Sequence, residues 1–419
     1  MEFIPPVNHD FDDQLRQLRQ KGLMRQLRQV RSEDGLQLSI ARNDLINWGS
    51  NDYLGLSHHP ALVEAASEAL GRYGVGSGSS RLITGTSPAH EELEEAIAAF
   101  KGKEAALTFS SGYATAVGVL NGLVGKEDVI ILDKLSHACL IDGAKLSGAT
   151  LRVFPHNHMG RLESLLDWAV NEHEARRVWV VTESVFSMDG DTAYLSEIVA
   201  LKERYPFLLL VDEAHAVGVL GQQGRGLIHQ LRLTEEVDLI MGTMSKALGV
   251  SGGYLASSRT VIDLLINRAR SFVYSTAPPP AIAAAALAAL QLLQTEEGEA
   301  IRRSLHAAMD AFASLVPERF HRRTWKESAI FPILLGETRL ALSAAKFMAA
   351  RRCFCPAIRY PTVPKDRARL RISLTAAHGK DQIDQLASAL IELEAALFPD
   401  DTGNDSEEDE IPAAFSSES

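Results

Sequence analysis

Cysteine is scarce in this chain of 419 residues, which has only Cys139, Cys353 and Cys355. Three thiols cannot form a closed disulfide framework in so long a chain, so the sequence predicts a reducing compartment and a cytoplasmic protein. Cys353 and Cys355 stand two residues apart, but no second Cys or His pair accompanies them. We therefore expect them to pack in a core, and we expect no metal site.

Long hydrophobic runs are missing as well. The longest apolar stretch, residues 281–293, is rich in alanine and too short to cross a bilayer, so it predicts a buried helix. The first six residues lack the basic segment and apolar run of a signal peptide. The sequence therefore predicts no association with a membrane.

Positive charge is in deficit, with 42 Lys and Arg against 54 Asp and Glu, a net charge of −12. Eight of the acids fall within residues 399–419, which contain no Lys or Arg. The body of the chain is therefore close to neutral, which argues against a nucleic-acid partner. We expect the acidic tail, 399–419, to be disordered and solvated.

Short apolar runs alternate with helical patterns through the middle of the chain. This rhythm predicts an α/β fold whose large domain, 49–285, holds a mostly parallel seven-stranded sheet covered on both faces. The predicted strands are 105–109, 129–132, 150–154, 178–182, 208–211, 239–242 and 253–256.

Two further segments flank the large domain. Residues 1–48 are expected to form a helix over 11–30, with Leu15, Leu18 and Leu23 on its apolar side, and then a hairpin over 36–48. The arginines of this helix favour a solvated face over a nucleic-acid arm. Residues 286–398 are expected to form a smaller C-terminal α/β domain, with strands at 330–334, 354–358 and 370–373 and a final helix over 380–397.

Polar residues follow two of the buried runs of the large domain. Asp212 and His215 follow run 208–211, and Thr243 and Lys246 follow run 239–242. Ligands of open α/β sheets bind beyond the carboxyl ends of the strands, so these four side chains could surround one ligand. An amine that can bond an aldehyde and an acid that can pair with a pyridine nitrogen are what pyridoxal 5'-phosphate (PLP) requires of a protein.

Three other turns could contribute to the same ligand site. Residues 110–115 follow a strand and open a helix, where backbone amides and the helix dipole favour a phosphate. His137 could stack on an aromatic ring or only cap a helix. Ser187 could reach a cofactor, although its neighbours also make an ordinary turn.

Residues 212–215 spell DEAH, a signature of nucleic-acid-dependent ATPases. That function also requires a GxxxxGK[ST] phosphate loop. The Gly-Lys pairs that begin at Gly102, Gly125 and Gly379 are followed by Glu, Glu and Asp, so the sequence argues against an ATPase.

Several separate segments, all in order, resemble the α-oxoamine synthases, which are PLP-dependent transferases of fold type I. The resemblance runs from about residue 15 to 397. The matching segments are 50–60 (SNDYLGLSHHP), 135–138 (LSHA), 185–191 (VFSMDGD), 221–226 (GQQGRG), 357–364 (AIRYPTVP) and 370–378 (LRISLTAAH).

This resemblance implies a role for each matching position. Lys246 would bond the PLP aldehyde, Asp212 would pair with the pyridine nitrogen, His215 would contact the phenolic oxygen and His137 would stack on the ring. The other implied cofactor contacts are Gly112, Tyr113, Ser187 and Thr243, with Ser275 and Thr276 reaching the phosphate of a neighbouring subunit. The implied substrate-binding residues are Arg25, Asn51, His137, Arg359 and Thr362, of which Arg359 would hold the amino-acid carboxylate and Arg25 and Thr362 the acyl group.

The matching segments are most similar to the branch of the family that condenses L-alanine with a pimeloyl thioester, carried on coenzyme A or on an acyl carrier protein, in biotin biosynthesis. The resemblance also implies a homodimer with shared active sites. Sister reactions with glycine and acetyl-CoA, or with serine and a long acyl-CoA, remain alternatives, as does amino-group transfer. One departure is His156-Asn157-His158, where the family usually has His-Asn-Asp. A non-catalytic subunit is disfavoured because such a protein should lack Lys246.

Overall fold

A seven-stranded sheet forms the centre of the large domain in the computed structural model, which describes residues 7–173, 175–320 and 328–399. Its strand order is β3-β9-β8-β7-β6-β4-β5, and β9 alone runs antiparallel to its neighbours. The strands are β3 (Ala105–Phe109), β4 (Val129–Asp133), β5 (Thr150–Phe154), β6 (Val178–Glu183), β7 (Leu208–Asp212), β8 (Leu239–Thr243) and β9 (Gly253–Ser257). The predicted mostly parallel sheet is confirmed.

Helices cover both faces of this sheet because its strands are apolar on both sides. In β4, Val129 and Ile131 join one buried core, whereas Ile130 and Leu132 join the other. Such continuous apolar runs are typical of parallel strands between two helical layers. The helices up to the end of the large sheet are α1 (Val7–Gln20), α2 (Pro60–Tyr73), α3 (Pro88–Lys101), α4 (Gly112–Leu123), α5 (Ala138–Ser147), α6 (Met159–Asp167), α7 (Leu195–Ala200), α8 (Leu227–Gln230) and α9 (Arg259–Arg268).

The rest of the chain forms two three-stranded sheets with flanking helices. The first, β10-β13-β12, is antiparallel; in the second, hairpin β1-β2 pairs with β11. The N-terminal hairpin is therefore joined to a strand of the C-terminal region. These strands are β1 (Gln37–Ile40), β2 (Asn43–Asn47), β10 (Ile330–Gly336), β11 (Cys353–Phe354), β12 (Ala357–Ile358) and β13 (Ala368–Ser373), and the helices are α10 (Arg270–Val273), α11 (Pro280–Leu293), α12 (Glu296–Leu315), α13 (Thr338–Ala350) and α14 (Lys380–Leu397).

Two predicted elements were wrong in extent. The helix expected over 11–30 ends at Gln20, and the chain leaves it through Gly22, whose φ is +63°. The single strand expected over 354–358 is two strands in different sheets, separated by Cys355 and Pro356. Proline has no amide hydrogen to donate to a sheet, which accounts for the interruption.

The predicted domain boundaries stay predictions, and α11 runs across the one placed between 285 and 286. The predictions for residues 1–6 and for tail residues 400–419 lie outside the described residues. No helix in the described part of the chain is long and apolar enough to cross a membrane.

Candidate active site

The carboxyl ends of the parallel strands bring the predicted residues to one edge of the large sheet. β7 ends at Asp212, and β8 ends at Thr243, three residues before Lys246. β4 and β6 flank the point where the strand order changes direction, and they lead to His137 and Ser187. Crevices at such points are where open α/β sheets bind ligands.

Lys246 and His215 are in direct contact, with 2.9 Å between Nζ and Nε2. Burial lowers the pKa of Lys246, although the nearby Asp212 and Glu183 carboxyls oppose the change. Burial, with the positive charges of Lys246 and Arg371, holds the pKa of His215 well below its usual value. The site therefore presents a neutral imidazole beside an amine that loses its proton more readily than an exposed lysine.

Tyr53 holds the opposite side of the His215 ring, with 2.6 Å between its hydroxyl and Nδ1. Asn51 Oδ1 and Arg371 Nη2 lie farther from the same hydroxyl, at 3.2 and 3.4 Å. Arg371 can only donate to this hydroxyl, so the tyrosine proton is available to either Nδ1 or Asn51 Oδ1, and the 2.6 Å contact holds the ring with Nε2 toward Lys246. Sequence reasoning included Asn51 but missed Tyr53 and Arg371.

Asp212 is a buried carboxyl without a charged hydrogen-bond partner. It is 5% exposed, and within the described chain its carboxyl accepts one hydrogen bond, from the Ala214 amide at 2.9 Å, and forms no ion pair. Burial raises the pKa of Asp212, against the opposing charge of Lys246. A protonated pyridine nitrogen would compensate such a group, because buried carboxylates are costly unless paired.

Glu183 is a second buried carboxyl at this edge, and sequence reasoning missed it. It ends β6 directly beside Asp212 in the sheet register, and its Oε1 accepts the backbone N–H of His137 at 2.5 Å. Burial and the neighbouring Asp212 raise the pKa of Glu183 to about 8. The signal was available, because Glu183 follows an apolar strand just as Asp212 does.

His137 stands between β4 and α5, where its side chain caps the helix. Its Nδ1 accepts the Cys139 amide at 3.3 Å, so the capping role considered from the sequence is present. Burial and the charge of Lys246 lower the pKa of His137, which favours a neutral ring. A neutral imidazole held at this crevice is suited to stacking on an aromatic cofactor.

The beginning of α4 and the end of β8 form a pocket rich in polar hydrogens. A Cβ added at Gly112, the first residue of α4, would lie 3.5 Å from Thr243 Cβ, so the two segments touch. The Thr243 hydroxyl lies 2.8 Å from the Ser245 hydroxyl. The first amides of a helix have no partner inside it, and together with these hydroxyls they suit a phosphate.

Tyr113 and Ser187 border this crevice. Tyr113 is half exposed, and its hydroxyl donates to Asp142 at 2.8 Å. Ser187 is buried, and its backbone carbonyl accepts a hydrogen bond from Arg371 at 2.7 Å.

The predicted substrate-binding residues Arg25, Arg359 and Thr362 meet although they are far apart in the chain. Arg25 Nη2 donates to Thr362 Oγ1 at 3.1 Å, and Arg359 Nη2 donates to the Met24 carbonyl at 2.8 Å. Nε of Arg359 is buried without a hydrogen-bond partner in the described chain. Burial and the charges of Arg25 and Arg28 lower the pKa of Arg359, as expected for a guanidinium that awaits an anion.

The hydrogen bonds of Ser275 and Thr276 lead to a different part of the molecule. Thr276 pairs with Ser80, and the next residue, Ala277, bonds to Ser79. Thr276 is exposed, and no contact in the described chain joins it or Ser275 to Lys246. These two residues are therefore separate from the Lys246 site within one chain.

The departure at residues 156–158 is structurally conservative. His158 Nδ1 accepts the Arg161 amide at 3.1 Å and caps α6, which is the role that an aspartate commonly plays.

The three cysteines are free and buried, as expected for core packing, and the described residues contain no cluster of ligands suited to a metal.

Comparison with known proteins extends this description. The family model for class I and II aminotransferases matches residues 43–390. The 8-amino-7-oxononanoate synthases of Geobacter sulfurreducens and a Methylobacterium strain are each 46% identical to the chain, over 90% of it and over 96% and 94% of their own lengths.

Solved structures of other proteins are similar to this chain in fold. A serine palmitoyltransferase from S. paucimobilis with bound PLP–myriocin aldimine has a TM-score of 0.87 at 28% identity, covering 93% of this chain and 99% of its own. An 8-amino-7-oxononanoate synthase from Francisella tularensis has a TM-score of 0.72 at 30% identity, covering 83% and 97%.

The site and the comparisons lead to the same cofactor. The half-buried lysine, the uncompensated Asp212 carboxyl and the polar pocket at the start of α4 suit the aldehyde, pyridine nitrogen and phosphate of PLP. The chain belongs to the class I and II aminotransferase family of fold-type I PLP-dependent transferases, and within it to the α-oxoamine synthases that include the 8-amino-7-oxononanoate synthases.

Proposed function

We propose that this enzyme condenses L-alanine with a pimeloyl thioester, releases carbon dioxide and the carrier thiol, and yields 8-amino-7-oxononanoate for biotin biosynthesis. The observation that carries the proposal is the contact between Lys246 and a neutral His215, beside a buried Asp212, in a chain 41–46% identical to synthases of that name. Bound PLP supplies an electron sink for negative charge at the α-carbon of the amino acid.

The protein's own groups handle protons and position the substrates. The lowered pKa of Lys246 suits it to accept the α-proton, since a base is most useful with a pKa near the working pH. Asp212 in its charged form keeps the pyridine nitrogen protonated, and His215, through Nε2, orients the groups around Lys246. Arg359 is proposed to hold the alanine carboxylate and Arg25 with Thr362 the acyl group, and Asn51, whose Oδ1 lies 3.2 Å from the Tyr53 hydroxyl, is proposed to contact the substrate as well.

The remaining cofactor contacts follow the same geometry. Gly112, Tyr113 and Thr243 are proposed to surround the phosphate, Ser187 to contact the cofactor and His137 to stack on its ring. Ser275 and Thr276, which lie away from Lys246 in their own chain, are proposed to reach the phosphate in a second subunit of a homodimer. A cytoplasmic location is also proposed, supported by three buried free cysteines.

Serine with a long acyl thioester is the second candidate, because the serine palmitoyltransferase structures have the higher TM-scores, up to 0.87. Their identity to this chain is 28%, against 46% for the curated synthases. Side chains at the site decide substrate choice, whereas backbone similarity reports the fold, so the alanine reaction is favoured.

A substrate panel tests the proposal directly. Alanine, glycine and serine are each supplied with pimeloyl, acetyl and palmitoyl thioesters, and products are identified by mass spectrometry. We expect the fastest turnover with alanine and the pimeloyl donor, together with one carbon dioxide per product. Faster turnover with serine and the palmitoyl donor would reject the assignment, and amino-group transfer without carbon dioxide would indicate an aminotransferase.

Lys246→Ala provides the matched control. Wild-type protein incubated with PLP and then borohydride should carry the cofactor mass on the peptide that contains Lys246, and the variant should carry none. Equal incorporation in the two proteins would reject Lys246 as the covalent anchor.

A further inference from the structure

A basic segment lies on the surface of a chain whose body is close to neutral. Residues 14–32, called the basic strap below, contain no Asp or Glu, whereas residues 1–398 as a whole contain 42 Lys and Arg against 46 Asp and Glu. The strap comprises the end of α1 and the extended segment after it. Its six cationic residues are Arg16, Arg19, Lys21, Arg25, Arg28 and Arg31.

The strap passes directly over the proposed acyl-binding residues. Arg25 bonds to Thr362, and the carbonyl of Met24 accepts the Arg359 guanidinium. Arg28 is close enough for its charge to lower the pKa of Arg359. A partner that lies on the strap would therefore be beside the proposed acyl-binding residues.

The cationic side chains of the strap are exposed, and most have no acidic partner. Arg16 pairs with Asp13; the other five form no ion pair with any described residue. Arg28 and Arg31 line a groove of about 640 Å³ together with Arg42 of the hairpin turn. Unpaired arginines around a groove are arranged to receive several carboxylates or phosphates.

Exposed apolar side chains are interspersed among these cations. Leu18 is 39% exposed, Val30 is 47% exposed, and Leu27 is completely exposed. Apolar side chains mixed with arginine are characteristic of protein-binding surfaces, where Arg is enriched and Lys is depleted.

We infer that the basic strap is the docking surface for an acidic protein that delivers the acyl group as a thioester, that is, an acyl carrier protein. This inference rests on the proposed function and specifies the carrier of its acyl substrate. Carboxylates on the carrier would pair with the strap arginines while Leu18, Leu27 and Val30 supply apolar contact.

The size of the charged surface favours a protein over the nucleotide of coenzyme A. The strap includes residues 14–20 of α1, which span about 10 Å, and Arg16 and Arg19 in this part lie outside the arginine groove. Coenzyme A needs only a few cations in one place. Binding of coenzyme A alone would therefore leave Arg19, Lys21 and the exposed leucines without a binding role.

The test reverses three strap charges outside the proposed binding residues, in Arg19→Glu/Lys21→Glu/Arg31→Glu. A matched control reverses three exposed cations on other elements, in Arg72→Glu/Lys126→Glu/Arg161→Glu. KM is measured with pimeloyl-acyl carrier protein and with pimeloyl-CoA. For the strap variant we expect KM for the carrier protein to rise about tenfold or more, KM for pimeloyl-CoA to stay within about twofold, and the control to match wild type.

Binding of the acyl carrier protein without an acyl group, measured by calorimetry on the PLP-loaded enzyme, separates this inference from the proposed function. Loss of that binding in the strap variant alone supports the docking surface even if no condensation product is found. An unchanged KM and affinity for the carrier protein would overturn it. An equal rise in KM for pimeloyl-CoA would show that the strap binds the nucleotide, and strap-dependent binding to anionic vesicles without carrier binding would assign it to a lipid surface.

Discussion

Glu183 and Asp212 end neighbouring strands, so two buried carboxyls lie side by side near Lys246. Two such groups cannot both be charged at low cost, and one of them holds a proton when no cation compensates them. The raised pKa of about 8 indicates that Glu183 is protonated at neutral pH. Because the same side chain accepts the His137 amide, it also positions the ring that is proposed to stack on the cofactor.

Glu183→Gln should therefore change how the stability of the PLP-free protein depends on pH. The pKa of the Glu183 carboxyl is near 4.5 in the unfolded chain and about 8 in the folded protein. Its contribution to stability is therefore complete below pH 4.5 and is lost as the pH rises to about 8. The amide cannot titrate, so we expect the variant to gain on the order of 2–4 kcal/mol relative to wild type between pH 5 and 8. Urea unfolding of both proteins across this range measures it, and parallel curves would contradict the raised pKa.

Tyr53 fixes the orientation of the His215 ring, since its hydroxyl lies 2.6 Å from Nδ1. Tyr53→Phe leaves that nitrogen buried without its partner and allows the ring to turn Nε2 away from Lys246. We expect kcat to fall about tenfold, the magnitude of one lost buried hydrogen bond, with KM for alanine little changed. A shift in the absorption maximum of bound PLP should accompany the loss. An unchanged spectrum and kcat would mean that the contact does not orient His215.

Strand ends account for the part of the site that the sequence predicts. The apolar runs of β7 and β8 end in chemically distinctive residues, and the general rule for parallel sheets places those residues together. Tyr53 and Arg371 are not accessible to this reasoning, because Tyr53 precedes α2 and Arg371 lies within β13, and only the packing of the small sheet against the large one brings them to His215. The end of α1 was missed because Gln, Arg and Leu favour helix on either side of Gly22.

Another link between elements is His156, which joins the end of β4 to the segment after β6. Its Nδ1 lies 3.1 Å from Asp133 and its Nε2 lies 2.8 Å from Asp191, while its ring packs edge-on against Phe186. Burial alone would lower the pKa of His156, but the hydrogen bonds of the two aspartates outweigh it and raise the pKa to about 10. This imidazolium therefore supports the segment that carries Ser187.

His156→Gln should destabilise the protein because it leaves two aspartates without their cation. The raised pKa means that the contribution of His156 is complete below pH 6.5 and disappears as pH rises through about 10. We expect a loss of about 2–3 kcal/mol at pH 6.5 and almost none above pH 10. Thermal unfolding at the two pH values tests this, and an equal loss at both would assign the effect to packing on Phe186.

At the scale of the whole molecule, uncovered apolar side chains surround the segment that holds Ser275 and Thr276. Val75 is 83% exposed, Ile83 is 76% exposed and Tyr274 is 74% exposed. Thr276 pairs with Ser80 in the same region. Large exposed apolar side chains gathered in one region are typical of a subunit interface, which agrees with the proposed homodimer.

Shared sites make a specific prediction for mixed subunits. Lys246→Ala removes the anchor, and a Ser275→Ala/Thr276→Ala variant should bind PLP more weakly. If each site takes Lys246 from one subunit and Thr276 from the other, a mixed dimer contains one intact site. Refolding the two variants together should therefore restore about a quarter of wild-type activity at limiting PLP, since half of the dimers are mixed and half of their sites are complete. Activity that only equals the average of the separate variants would show that each site is built from a single chain.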